Sequence, residues 1–298
     1  MSKNRNILIV INPAAGKSSY KKKLDYLLKK LHESQHRNEL FFTEQNAKSK
    51  LKKLILSNPS VSEVVVMGGD GTLNYVVNEI HDNNLPISIV SNGTGNDSVK
   101  SLHGEMNFKN QVEIVLHGTI RKFDLGCCNG RYFVNGVGIG FDGEVVKEMV
   151  RRGNKKGKHL DYLLTVLRII AGFKEKTIQF FMDGKHYKKK ILLMTISNGT
   201  TFGGGFILNP FAVSNDGLLD VCIFNELKPI LRFWHLPKLK TGTHHKLKET
   251  EFHLATNLKI KPSDELVAHL DGEYIGHPPF DISIEKEALL VSVPSLIS

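Results

Sequence analysis

The stretch Val64-Val65-Val66-Met67-Gly68-Gly69-Asp70-Gly71-Thr72-Leu73-Asn74 constrains this chain most, because it reads as a buried strand running into a glycine turn that carries one carboxylate. Glycines let backbone amides approach a polyphosphate closely, and a helix opening at Thr72 would aim its free N–H groups at the same anion. Asp70 cannot attract phosphate directly, since like charges repel, so a Mg2+ ion or an ordered water has to stand between them. A plain strand-to-helix turn would need only one glycine.

The surrounding rhythm places this turn in an α/β layer. Ile7 to Ile11 is a short apolar run stopped at Asn12-Pro13, and Leu24, Leu27, Leu28 and Leu31 follow at helical spacing. Leu40-Phe41-Phe42 reads as a second strand, and Leu51, Leu54 and Ile55 mark a second helix. The Val64 strand is third, with Leu73, Val76, Val77 and Ile80 inward on the helix after it. Ile87 to Val90 is a fourth strand, closed by the second glycine turn Asn92-Gly93-Thr94-Gly95-Asn96-Asp97. Alternating strands and helices predict a mostly parallel sheet.

From about Phe123 the pattern changes to successive β-rich runs, among them Tyr132 to Val134, Thr177 to Met182, Ile191 to Ser197, Leu219 to Phe224, Leu258 to Ile260 and Ile282 to Ile284. Few helices separate them, which predicts a largely antiparallel second domain. The expected division is 1–124 and 125–298, with Leu289-Leu290-Val291 either closing the second domain or returning to the first.

The net charge of +10 biases the surface toward anions such as nucleotides, nucleic acid or acidic lipid headgroups. Much of that charge is local. Lys21 to Lys23 and Lys188 to Lys190 read as solvated faces, whereas Arg151 to His159 leads into an amphipathic helix with Leu160, Leu163, Leu164, Leu167 and Ile170. No run is long and apolar enough for a membrane span, and the N-terminus leads into a strand rather than a secretory signal, so a cytoplasmic protein is expected. Three cysteines, Cys127, Cys128 and Cys222, make neither a disulfide framework nor a spaced metal-ligand set.

Four further motifs bear on chemistry. Asn12-Pro13-Ala14-Ala15-Gly16-Lys17-Ser18 fails as a P-loop, since Ile11 stands where the first glycine belongs, yet it suits phosphate contact. Gly138-Ile139-Gly140-Phe141-Asp142-Gly143 spells the dinucleotide fingerprint but lacks the βαβ rhythm and the distant acid. The loop from Asn209 to Asp220 offers Asp216, Asp220 and free carbonyls, a mixture that hard cations favour or that an Asp-Gly turn explains equally. Leu270-Asp271-Gly272-Glu273 sets two acids across a glycine, where either could be a general base or the pair a hairpin signal.

Taken in order, these pieces resemble the diacylglycerol kinase catalytic-domain family of soluble bacterial lipid kinases, whose relatives include sphingosine kinases. The resemblance runs through Asn12-Pro13 to Gly16-Lys17, Gly68 to Thr72, Gly93 to Asp97, Asp124-Leu125-Gly126, Asn135-Gly136 to Asp142, Gly203-Gly204-Gly205, Asp216 to Asp220 and Asp271-Gly272-Glu273. It implies an N-terminal α/β domain like those of NAD kinases and phosphofructokinases, a C-terminal β-sandwich for the lipid, and ATP bound in the cleft between them. It further implies nucleotide contacts at Asn12, Thr43, Gly68, Gly69, Asp70, Gly71, Thr72, Asn74, Gly93, Thr94 and Asn96. By the same resemblance Asp97 and Asp124 organise Mg2+ and water near the phosphates with Asp70, while Asp216, with the carbonyls of Val213 and Leu218, matches a structural magnesium site. Asp271 or Glu273 would deprotonate the lipid hydroxyl. The aromatic that often follows the Asn-Asp pair is replaced here by Ser98-Val99.

The expected function is an ATP- and Mg2+-dependent kinase of diacylglycerol or a similar long-chain alcohol. Its expected partners are that lipid, an anionic membrane surface touched peripherally through the Arg151 cluster and the helix after it, and a second copy in a homodimer, with no nucleic acid. An NAD kinase and a catalytically silent nucleotide- or lipid-binding regulator are the alternatives.

Overall fold

Valine and isoleucine runs without polar interruption form strands only where both faces are covered, and the computed structural model uses them so. It describes residues 4–16, 20–43, 50–93, 95–153 and 159–295, with 159–161 described in backbone alone. The chain divides into two compact units, 1–123 with 287–298, and 124–286.

In the first unit the order is β1 (Asn6–Ile11), α1 (Tyr20–Glu33), β2 (Arg37–Phe42), α2 (Lys50–Ser57), β3 (Glu63–Gly68), α3 (Asp70–Ile80), β4 (Ile87–Ser91), α4 (Asp97–His103) and α5 (Phe108–His117). The strands pair in parallel as β2-β1-β3-β4, and Val291 from the end of the chain adds beside Ile87. Leu24, Leu27 and Leu31 of α1 and Val112 and Val115 of α5 pack with Ile7, Ile9, Ile11 and Val65 into one core. On the other helices, α3 packs on β3 and against α2. Parallel strands deliver their C-terminal ends to one edge, so the loops after β1, β3 and β4 gather there. At the base, Arg5 donates to Glu63 at 2.6 Å and to the carbonyls of Val115 and Leu116 at the end of α5. That guanidinium satisfies helix-end carbonyls and a buried carboxylate at once.

The second unit contains the end of β5 (Thr119–Cys128), then β6 (Arg131–Phe133), β7 (Gly136–Gly140), α6 (Phe141–Arg151), α7 (His159–Gly172), β8 (Lys176–Met182), β9 (Lys185–Ser197), the short ribbon β10 (Thr201–Phe202) and β11 (Phe206–Ile207), and β12 (Leu219–Asn225). It continues through α8 (Pro229–Thr241), β13 (Thr250–Ala255), β14 (Asn257–Ile260), β15 (Ala268–Leu270), β16 (Glu273–Gly276) and the first half of β17 (Phe280–Val293). Its pairing is antiparallel: β9 runs beside β8, β7 and β12, β15 joins β7 to β16, and β14 joins β8 to β17. Phe133, Phe180, Ile196, Val221, Leu258 and Ile282 belong to its core.

The helices α6, α7 and α8 cover a second apolar layer built from Phe141, Val145, Val166, Ile170, Leu193 and Phe224. Arg232 of α8 is buried there, donating Nε to Leu227 O, Nη1 to Ile170 O and Phe173 O at the end of α7, and Nη2 to Glu175 at 2.5 Å. The three cysteines are free thiols, and burial pushes Cys128 up to about 12.

Candidate active site

In the first unit the glycine turns close on each other. A Cβ at Gly93 would collide with the Cα of Gly69 and with the Asn96 side chain, so only glycine permits this approach. Asp70, first residue of α3, accepts the backbone N–H of Asp97 at 3.1 Å and of Ser98 at 2.9 Å. A carboxylate at the opening of α4 satisfies orphan donors there and opposes the helix dipole favourably. Asn12 donates Nδ2 to Thr72 Oγ1 at 3.1 Å and accepts the Ala14 N–H at 2.9 Å, while Asn92 donates to Ala15 O at 2.7 Å. Asn96, at φ +53, folds its amide back on Gly93 through both of its ends.

A polar recess of about 520 Å³, open mouth included, adjoins these turns and is lined by Gly16, Lys23, Asn92, Gly93, Asn96 and Gln111 among others. Lys23 donates to Ser91 O at 3.0 Å with its ammonium over the Phe108 ring, and burial lowers its proton affinity. It is therefore a positioned cation, where the charge run alone suggests a solvated face.

In the second unit three groups stand out. Asp271 occupies φ +46, and its carboxylate accepts the backbone N–H groups of Val134 at 2.9 Å, Asn135 at 3.0 Å and Gly136 at 2.9 Å. An ionised carboxylate only accepts, so these donors make Asp271 a clamp on the loop before β7. Glu273, two residues on, is exposed and ion-pairs with Arg131 at 2.7 Å.

Next to them lies a buried pair. His269 Nε2 meets Asp142 Oδ2 at 2.7 Å, and Gly272 donates its N–H to His269 Nδ1 at 3.2 Å. Burial opposes a charged ring here, Asp142 and then Asp271 favour it, and the balance is upward. In the neutral ring the Gly272 N–H selects the Nε2–H tautomer, since a proton on Nδ1 would point at another proton. Asp142 also lines an apolar cavity of about 360 Å³, mouth included, with Phe141, Tyr162, Leu193, Phe202, Leu236 and Leu239 among its walls. Among the described residues it is the sole acidic or basic side chain of that lining.

The third group is the loop before β12. Asp124 is buried and accepts the Gly217 N–H at 2.7 Å, and its own N–H donates to Ser214 O at 2.8 Å. Asp216 accepts the Leu218 N–H at 3.0 Å. Burial, and then the Asp216 charge, push Asp220 up to about 6. Among the described residues, no group of three or more His, Cys, Asp or Glu side chains stands together as a metal cluster.

Comparison with known proteins places these features in a family. Residues 6–128 match the sequence profile of the diacylglycerol kinase catalytic domain, and residues 135–293 match that of the YegS C-terminal NAD kinase beta sandwich-like domain. The chain belongs to the diacylglycerol kinase catalytic-domain family. It is accordingly a kinase, with an N-terminal α/β domain and a β-sandwich-like C-terminal domain. It is 25% identical over 289 residues to a diacylglycerol kinase of Staphylococcus carnosus, covering 96% of this chain and 94% of the relative. A diacylglycerol kinase of Bacillus subtilis is 26% identical over 277 residues, 91% of this chain and 90% of the relative. A crystal structure of a diacylglycerol kinase from Bacillus anthracis shares the fold, with a TM-score of 0.76 at 18% identity and full coverage of both chains.

Of the residues read from the sequence, the kinase brings Asn12, Gly68, Gly69, Asp70, Gly71, Thr72, Gly93, Asn96 and Asp97 to one edge of the first unit. Thr43 follows β2 and donates its N–H to Ile11 O at 2.8 Å, and Asn74 is buried in α3. Thr94 lies outside the described residues, as do 154–158 of the basic cluster, whose Arg151 and Arg152 both ion-pair with Glu148. Asp124, Val213, Asp216 and Leu218 come together in the second unit, whereas Asp97 belongs to the first.

Sequence reasoning passed over His269 and Asp142. One signal existed: Gly138 pairs across the sheet with His269, and a Cβ there would overlap both His269 Nε2 and Asp142 Oδ2. The glycine of the false dinucleotide fingerprint thus makes room for this pair, and β7 is flanked by antiparallel partners.

Proposed function

We propose that this kinase transfers the γ-phosphate of ATP to the hydroxyl of diacylglycerol or a similar long-chain lipid alcohol. The observation that supports the acceptor is the narrow cleft beside Asp142, whose lining is mostly hydrocarbon and so favours an acyl chain over a polar acceptor such as NAD. Relatives named diacylglycerol kinase, aligned over nine-tenths of their length, support the same reading.

In this reading the amides of Gly69 to Thr72 and of the Gly93 turn, with Asn12, Thr43, Asn74, Thr94 and Asn96, hold the nucleotide, and the opening of α3 stabilises charge on the transferring phosphoryl group. Lys23 supplies a fixed positive charge beside those turns. A hard divalent cation suits the donor set at Asp216 and Asp220 with the Val213 and Leu218 carbonyls, because burial, and then the Asp216 charge, disfavour the Asp220 carboxylate and a cation would offset both. Asp70, Asp97 and Asp124 are the acids proposed for Mg2+ and water near the phosphates. When bound, Mg2+ neutralises charge on the phosphate oxygens.

The lipid oxygen attacks the γ-phosphorus, its bond to phosphorus forms as the bond to the β-phosphate oxygen breaks, ADP leaves, and the hydroxyl proton passes to a carboxylate base. Glu273 suits the role of base, since Asp271 already receives three backbone N–H groups.

The test is labelled-ATP phosphorylation of a total lipid extract, with the product identified by mass spectrometry, against NAD as a competing acceptor. Glu273→Gln is expected to lower turnover at least about a hundredfold at unchanged melting temperature. Asp271→Asn is expected to lower the melting temperature as well. Labelled NAD with no labelled lipid, or wild-type turnover in Glu273→Gln, would overturn the respective assignment.

A further inference from the structure

The helix α8 is amphipathic in the reverse sense to its surroundings. Its inward face is mixed: Arg232 and His235 are buried, and Leu236 and Leu239 line the apolar cavity. Its outward face carries Ile230, Phe233, Trp234 and Pro237 at the spacing of one helical stripe, with Ile230 75% and Trp234 76% exposed. Large apolar side chains left in water on one stripe mark a contact surface rather than a core. On the adjoining helix α7, Leu164 and Leu167 are exposed as well, while Val166 and Ile170 turn inward.

The segment that carries this stripe is rich in lysine. From residue 227 to 248 the chain has five lysines, Lys228, Lys238, Lys240, Lys246 and Lys248, with no aspartate or glutamate. By contrast, Lys189, Lys190 and the buried Arg232 are all matched by glutamates, Glu251, Glu226 and Glu175. An apolar stripe containing an outward tryptophan, on a segment whose five lysines form no ion pair among the described residues, suits an anionic lipid bilayer: the indole and aliphatic groups enter the headgroup boundary and the ammonium groups meet lipid phosphates.

We propose that the outer face of α8 is the surface by which this kinase sits on an anionic membrane, rather than the Arg151 cluster, whose two described arginines are committed to Glu148. The inference rests on the lipid reading above, and it adds an entry route: the helix that meets the bilayer is the one whose opposite side walls the cavity.

Trp234 is the sole tryptophan, so its emission reports this face directly. The full chain is titrated with vesicles of phosphatidylglycerol mixed with phosphatidylcholine, and with phosphatidylcholine alone. A blue shift with the anionic vesicles, weakened by salt, is expected. In Ile230→Ser/Phe233→Ser, which keeps the reporter and leaves the cavity wall intact, vesicle affinity should fall at least about tenfold. Turnover of vesicle-borne lipid should fall in parallel, while turnover of a short-chain lipid dispersed below its aggregation limit stays as in the wild type. Unshifted emission in the presence of sedimenting anionic vesicles, or equal affinity in the double variant, would overturn the proposal. So would emission already blue without lipid together with a dimer in sedimentation velocity that the double variant dissociates, since the face would then seat a second copy. If no lipid in any form is phosphorylated, the functional reading fails instead, and the fluorescence result still decides the docking face.

Discussion

Replacing Gly138 by alanine tests the pair beside the cavity with one methyl group. Its hydrogen at that position is followed by no free space, because the added carbon would fall inside the contact distance of both His269 Nε2 and Asp142 Oδ2. Gly138 is also locked between two strands, opposite His269 on β15 and Thr195 on β9, so the backbone has little room to retreat. Overpacking of this kind costs about 1–3 kcal/mol. Separating the buried 2.7 Å contact forfeits a hydrogen bond to a charged group, about 1.5–3 kcal/mol more. Together the loss is roughly 2.5–6 kcal/mol, a large share of the roughly 5–15 kcal/mol by which a domain is stable. Urea unfolding followed by far-ultraviolet circular dichroism should show a lower midpoint at unchanged slope. Gly172→Ala is the control, since a Cβ at that helix end meets nothing within 4 Å, and it should be neutral or stabilising by up to about 1 kcal/mol. If Gly138→Ala unfolds at the same midpoint as that control, the assignment of this glycine to the His269–Asp142 pair is refuted.

Arg232→Met should destabilise by about 3–5 kcal/mol, because it strands a buried carboxylate and three backbone carbonyls, two of them at the end of α7. Adding Glu175→Gln should recover part of that loss, and a double-mutant cycle in urea that gives no coupling between the two would reject the link. Asp220 sets a pH signature: its folded value of about 6 exceeds the ordinary 3.8, so between these values the native state holds more proton than the unfolded state. Stability without divalent cation should therefore fall as pH rises through that window, by a loss on the order of 3 kcal/mol, and stay at the lower level above it. Asp220→Asn should flatten the curve. Magnesium should raise the melting temperature of the wild type at about pH 7 more than at about pH 5, and an equal rise at both would count against a cation in this loop.

The first unit was open to reading because its signals are local. Ile7 to Ile11 and Val64 to Met67 are continuous apolar runs and Ile87 to Val90 is one broken only by Ser88, and central parallel strands, covered on both faces, favour that pattern. The glycine turns could be read for a similar reason, since a backbone-on-backbone approach such as Gly69 to Gly93 tolerates no side chain. The helices of the second unit were less visible: α8 shows no clean inward stripe, because its outer face is apolar too.

By itself, then, the sequence determined the alternating layer, the antiparallel second half, the glycine turns and the acids attached to them, all of which follow from periodicity and turn chemistry within a few residues. The tertiary structure alone decided what each acid does. Asp70 caps α4 from 27 residues away, Asp271 clamps Val134 to Gly136 from more than 130, and His269 finds Asp142 across 127. Spacing along the chain cannot encode such meetings, because a carboxylate has the same letter whether its lone pairs hold backbone amides or stand open to a proton. The difference lies in which donors the fold brings within about 3 Å.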